Sequence, residues 1–95
     1  MNKKEELHHR IEIVIEFLER VRTKYTIVFW GIGGSTARGD FSPQADIDLA
    51  IQLYLPEESM RGEGKVIFWH EFEEWVTPIL KEFKDKYGIE IDLSW

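Results

Sequence analysis

Asp46 and Asp48, one residue apart, are the pair whose type and spacing most directly suggest chemistry. In the segment from Asp46 to Leu53, apolar residues fall at 47, 49, 51 and 53, the period of two expected of a strand. Both carboxylates then project from one face, roughly 7 Å apart at Cβ, while the isoleucines and leucines bury the other. Ile89 to Trp95 alternates in the same way, with Ile89, Ile91 and Leu93 on one face and Glu90, Asp92 and Ser94 on the other. Asp92 can therefore join the pair. Three carboxylates within about 5 Å, at an effective dielectric near 20, repel by roughly 3 kcal/mol per pair, and a divalent cation would relieve them.

A second stretch complements the acids. Gly31, Gly33 and Gly34 follow the β-branched and aromatic run Thr26 to Trp30, so a strand is expected to enter a glycine turn that leaves room for a ligand. Ser35-Thr36-Ala37-Arg38 can start a short helix whose free N–H groups point back towards the turn. Gly34 and Ser35 are thus expected to face an anion. Arg38 could meet a triphosphate or pair with Asp40. A dinucleotide fingerprint starting at Gly31 fails at Thr36 and lacks a long following helix, and a P-loop fails because Gly39 is followed by Asp40. His8, His9 and His70 lack acid or histidine partners at ligand spacing and are not expected to hold a metal.

The elements that must position these residues follow from periodicity. Residues 3 to about 24 alternate briefly like a strand, but Leu7, Ile11, Val14, Leu18 and Val21 recur at helical spacing, and Asn2 with Glu5 resembles a capping box. Ile13, Ile15 and Phe17 broaden that helix's apolar surface, which suits either deep packing on a sheet or an interface with another chain. Ser42-Pro43 signals a turn, making the first two strands antiparallel neighbours. Tyr54 to Gly64 reads as the most mobile loop, either a connector or a segment that orders over nucleotide. Lys65 to Tyr87 carries Phe68, Phe72, Trp75 or Val76, Ile79 and Phe83 at helical spacing, with Pro78 expected to kink the helix and Gly88 to stop it. Trp69 and Trp75 are core residues by that spacing, with base stacking as the competing role. A right-handed strand-helix-strand connection makes the last two strands parallel and puts Asp92 beside Asp46 and Asp48. The fold class expected is α/β: one small domain over residues 1–95, with a mixed sheet of three or slightly more strands and helices mainly on one face.

Composition bounds the function. The 95 residues allow one domain and no second substrate domain. Eighteen acidic against twelve basic residues give a net charge of −6, which disfavours nucleic acid as a direct partner. No apolar run approaches the length of a membrane span or a signal-peptide core, so the expected location is cytoplasmic and no membrane partner is expected. The absence of cysteine removes disulfides, thiolate zinc sites and a cysteine nucleophile.

Gly34-Ser35, ten intervening residues, Asp46-Ile47-Asp48 and a third acid on a later strand together resemble the signature of the minimal nucleotidyltransferases of the DNA polymerase beta superfamily. The resemblance runs from Thr26 to the C-terminus. It departs at Ala45, where the family often has serine, at the cost of one hydrogen bond and no metal ligand. What the resemblance implies is a polymerase beta-like nucleotidyltransferase fold in which Asp46, Asp48 and Asp92 are the catalytic acids and hold two Mg²⁺ ions. Gly34 and Ser35, with Arg38, would bind the phosphates of a nucleoside triphosphate, most simply ATP. It further implies transfer of AMP to a hydroxyl of a HEPN ribonuclease toxin, with this chain as antitoxin. Two other readings stay open: a non-catalytic antitoxin that covers the toxin, and a transferase acting on a small hydroxylated molecule. Self-association also stays open.

Overall fold

The computed structural model describes residues 2–95. The chain runs α1 (Lys3–Arg22), β1 (Ile27–Gly33), α2 (Gly34–Arg38), β2 (Ile47–Leu53), the 3-10 turn Glu57–Ser59, α3 (Gly62–Tyr87) and β3 (Ile91–Ser94). The three strands form one mixed sheet in the order β1-β2-β3, with β1 antiparallel and β3 parallel to the central β2. The expected α/β class and both strand directions hold.

Local chemistry accounts for the element ends. Asn2 caps α1 by accepting from the Glu5 N–H at 2.9 Å and donating its amide to the Glu5 carboxylate at 2.9 Å, a reciprocal arrangement that satisfies an otherwise free donor. At the other end the Thr23 hydroxyl donates to the Arg20 carbonyl. The helix therefore stops at Arg22, two residues earlier than its apolar pattern suggests. Gly88, at φ 68°, ends α3 in the left-handed conformation that glycine adopts without a Cβ penalty. Helix α3 runs through Pro78 without interruption; beside it the Thr77 hydroxyl donates to the Glu73 carbonyl at 2.7 Å.

The core lies between the helices and one face of the sheet. Ile47, Leu49, Ile51 and Leu53 of β2 and Ile91 of β3 pack against Ile13, Val14, Phe17, Leu18 and Val21 of α1 and Phe72, Val76, Ile79 and Phe83 of α3. Phe17 and Phe83 meet edge to face at 5.5 Å. Arg20 pairs with Glu82 at 2.8 Å and Glu16 with Lys86 at 2.9 Å, so the two helices lie side by side in opposite directions. Glu16 also accepts from the Tyr87 hydroxyl. That bond, then the one from Lys86, holds the Glu16 carboxyl below its usual pKa. Ile13 and Phe17 thus belong to the core, while Ile15 is 44% exposed on the opposite side of α1.

The reading of residues 54–64 as the most mobile loop needs correction. Glu57–Ser59 form a 3-10 turn and residues 62–64 are the first turn of α3. A Cβ on Gly64 would sit 1.9 Å from the Glu58 carbonyl oxygen, so the absence of a side chain lets the helix start against that turn. Trp69 and Trp75 are half-buried against the core: Trp69 stacks on Trp95 at 6.1 Å and Trp75 meets Tyr25 at 5.3 Å. The packing role suggested by their spacing is the one they have.

Because Phe17 is fully buried between α1 and α3, Phe17→Ala is expected to lower stability by about 3–5 kcal/mol. Urea denaturation followed by tryptophan fluorescence measures it, and a loss under about 1 kcal/mol would show that the two helices do not share this core.

Candidate active site

Among the described residues, α1 and α3 cover one face of the sheet, and the other is left exposed at Ala50, Gln52, Asp92 and Ser94. Alternation from the buried positions puts Asp48, Ala50 and Gln52 of β2 and Asp92 and Ser94 of β3 on that open face. The β1 register pairs Gly33 with Asp48, Gly31 with Ala50 and Phe29 with Gln52, which adds these three residues to it.

Asp48 and Asp92 are register partners on neighbouring parallel strands. Adjacent strands are about 4.8 Å apart, so the two acids stand side by side. Asp48 is half-buried and Asp92 exposed. Asp46 lies one residue before β2, exposed, and the neighbouring Ile47 N–H donates to the Glu90 carbonyl at 2.9 Å, which extends the β2–β3 pairing to this end.

Gly34 forms the opposite wall. It has φ 60°, and a Cβ there would lie 1.9 Å from Oδ2 and 3.0 Å from Cγ of Asp48. The carboxylate therefore rests directly against the Gly34 backbone, and no other residue meets both the steric and the conformational demand. Contrary to the sequence reading, Gly31 and Gly33 are not part of the turn. They are strand residues, and α2 begins at Gly34. Ser35 is half-buried in the first turn of α2. Arg38, at its far end, is exposed and bonds Asp40 through Nε at 3.2 Å, which realises one of its two expected roles.

The structure thus brings Gly34, Asp48 and Asp92 together, with Ser35 and Asp46 flanking them. Among the described residues, no three Asp, Glu, His or Cys side chains are gathered as a ready metal cluster. The donor set nevertheless suits Mg²⁺, a hard cation that takes a few carboxylates and completes its shell with water or phosphate oxygens, because Asp48 and Asp92 are adjacent, oxygen-only and open to solvent. The histidines are elsewhere, and contrary to the sequence reading two of them have an acid one helical turn away: His8 pairs with Glu12 and His70 with Glu74, single exposed pairs that gather no third ligand among the described residues, while His9 meets the Tyr87 ring.

Residues 14–94, most of the chain, match the family model described as nucleotidyltransferase domain. The chain belongs to the nucleotidyltransferase domain family. No curated protein and no solved structure matches it. The nucleotidyltransferase assignment covers nucleotidyl transfer as the class of reaction, with a nucleotide as substrate. No helix is long and apolar enough to cross a membrane among the described residues.

Sequence reasoning missed Arg10, although this residue organises the loop that leads to Asp46. Only 1% exposed, it donates to the Thr36 hydroxyl at 3.3 Å and to the Ser42 and Pro43 carbonyls at 3.0 and 3.3 Å. Its guanidinium also lies 4.3 Å from the centre of the buried Phe41 ring. Burial lowers its pKa, while the charges of Glu6 and Asp46 raise it. An arginine keeps its charge in such a setting, so this part of the nucleotidyltransferase holds one buried cation, which is bonded to the loop and attracts the exposed Asp46. The only sequence signal was a basic residue one helical turn before Val14, inside the apolar face. A cleft of about 310 Å³ opens behind this loop, lined by Glu6, His9, Arg10 and Tyr87 among others, and none of the three aspartates lines it.

Arg10→Ala is expected to cost about 2–4 kcal/mol, since it removes the charged donors from the Thr36 hydroxyl and the Pro43 carbonyl and leaves the Ser42 carbonyl with only its turn bond from the Ala45 N–H. Arg10→Lys should recover less than half, because an ammonium cannot reproduce the fork. Chemical denaturation of both variants checks this, and a loss below about 1 kcal/mol for Arg10→Ala would mean that the loop holds itself.

Proposed function

We propose that this nucleotidyltransferase domain transfers AMP from ATP to a hydroxyl on a partner protein, and that it serves as antitoxin to a HEPN ribonuclease toxin. The observation that carries the catalytic half is the placement of Asp48 beside Asp92 on an uncovered sheet face, with the Asp48 carboxylate against the Gly34 turn.

Asp46, Asp48 and Asp92 would hold Mg²⁺, which when bound neutralises the carboxylates and the triphosphate and stabilises charge that develops during transfer. Gly34 and Ser35 contribute backbone N–H groups and a hydroxyl to the outer phosphates, a role suited to the start of a helix entered from a glycine. Asp92 accepts the proton of the acceptor hydroxyl. The acceptor oxygen forms a bond to the α-phosphorus in line as the bond to the bridging oxygen breaks, and pyrophosphate leaves. Arg38 either stays with Asp40 or swings to the triphosphate, since its ion pair is exposed and weakly held.

Two features support an acceptor on another protein. Among the described residues, the open face carries no element that could hold an acceptor hydroxyl in line, and positioning of that kind contributes several kcal/mol to the barrier. A net charge of −6 suits a basic partner. The cytoplasm is the location that fits such a pair.

Asp48→Asn and Asp92→Asn should each abolish transfer and leave the melting temperature unchanged or higher, because removing one of two adjacent charges relieves repulsion. Asp46→Asn should also abolish transfer without that gain in stability, since Asp46 is attracted by Arg10. Thermal melting without metal, beside a transfer assay with ATP and Mg²⁺, separates these effects. Marked destabilisation of both Asp48→Asn and Asp92→Asn would make the acids structural and remove the catalytic reading.

The partner half is tested by co-purification from the source organism, followed by mass spectrometry of the partner after incubation with ATP and Mg²⁺. The expected result is a mass increase of one AMP on a helical ribonuclease. A stable complex whose partner stays unmodified would favour the covering antitoxin, while efficient transfer to a small hydroxylated molecule without a partner would overturn the toxin-antitoxin assignment.

A further inference from the structure

We propose that Phe29 and Gln52 form the platform for the nucleobase of the nucleoside triphosphate; the inference rests on the nucleotidyltransferase reading of the same open face. Phe29 is 61% exposed on that face and opposite Gln52, which is also exposed. Its ring does not point straight out. A Cβ on Gly31 would lie 3.7 Å from Cε1 and 3.8 Å from Cζ of Phe29, so the ring leans along β1 over Gly31, towards Gly33 and Asp48. Gly33 has nothing within 4 Å of its own Cβ position.

Spacing fits a nucleotide. Two residues of antiparallel strand span roughly 7 Å, so the leaning ring stands about that far from the Gly33–Asp48 pair. That is the separation an extended nucleotide needs between an α-phosphate near Asp48 and its base. The two ends of the face also differ in chemistry as the two ends of a nucleoside triphosphate do. One end carries Gly34, Asp48 and Asp92, suited to a cation and phosphates. The other carries an aromatic ring and a neutral amide, which offer a π-face for stacking and a donor and acceptor for a base edge. The lean over Gly31 and the continuity with the acidic end favour the base.

The test compares ATP with inorganic triphosphate, each with Mg²⁺, by calorimetric titration of the full chain. Phe29→Ala is expected to weaken ATP by about 5- to 150-fold, the range that base–aromatic stacking supports, and to leave inorganic triphosphate unchanged. Phe29→Trp should keep or improve ATP affinity, and Gln52→Ala should change the preference among ATP, GTP and CTP. Because Phe29 is exposed, the variant should melt with the wild type, and melting is recorded alongside. ATP affinity undiminished in Phe29→Ala, or an equal loss for inorganic triphosphate, would overturn the base platform and leave the nucleotidyltransferase reading intact. Wild-type protein that binds neither ATP nor inorganic triphosphate would overturn both.

Discussion

The Asp48 carboxylate occupies the space that a side chain on residue 34 would fill, and this contact constrains much of the structure around it. It requires β1 to end one residue before Gly34 and to pair Gly33 with Asp48, and it requires a left-handed turn that only glycine enters cheaply. It also couples two functions by geometry, because the strand that carries an acid and the turn that offers N–H groups cannot move independently. A half-buried carboxylate beside a second carboxylate is costly to assemble without a cation. Such cost is what proteins concentrate at working sites and meet through packing elsewhere.

Packing elsewhere is concentrated on the opposite side of the sheet. Every large aliphatic residue of β2 faces α1 and α3, so the core neither includes nor depends on the acids. The exception to this division of faces is Arg10. Its guanidinium is buried at the helix-facing side of the loop, yet its three acceptors are a hydroxyl of α2 and two carbonyls of the chain leading to Asp46. A buried cation is expensive unless its donors are used, and here the loop backbone supplies acceptors that no sheet or helix satisfies. The loop is thus held by hydrogen bonds and by Phe41, which lies between Arg10 and Lys3, instead of by a wide apolar contact.

What was legible in the sequence follows the strength of each local signal. Period-two alternation of Ile47, Leu49, Ile51 and Leu53 identified β2 and the face of its acids, and the right-handed crossover placed Asp92 opposite Asp48, because both rest on geometry that tertiary context seldom overrides. The glycine cluster was harder. Gly31 and Gly33 read as turn residues by composition, but their backbones pair with Ala50 and Asp48, and partner strands rather than propensity decide whether a glycine is extended. The segment from Tyr54 to Gly64 was misread for a similar reason. Gly64 weakens a helix by propensity, while its contact with the Glu58 carbonyl, invisible in one dimension, admits no other residue. Arg10 was illegible because its partners lie 26 to 33 residues away in a loop without periodicity.

The strand order β1-β2-β3 divides the open face into two sides about Asp48. On the β1 side lie Gly33, Gly31 and the leaning ring of Phe29; on the β3 side lies Asp92, exposed on a four-residue edge strand. Under the proposed reading, nucleotide would lie along the first side and an acceptor hydroxyl would approach over the second. In-line displacement needs this separation, because the attacking and leaving oxygens must stand on opposite sides of the α-phosphorus. Asp92 is exposed on its edge strand, so among the described residues its carboxylate is open to an approaching group. An incoming protein surface would then supply the missing wall, excluding water from the reacting atoms and strengthening each charge interaction among the acids, the cation and the phosphates.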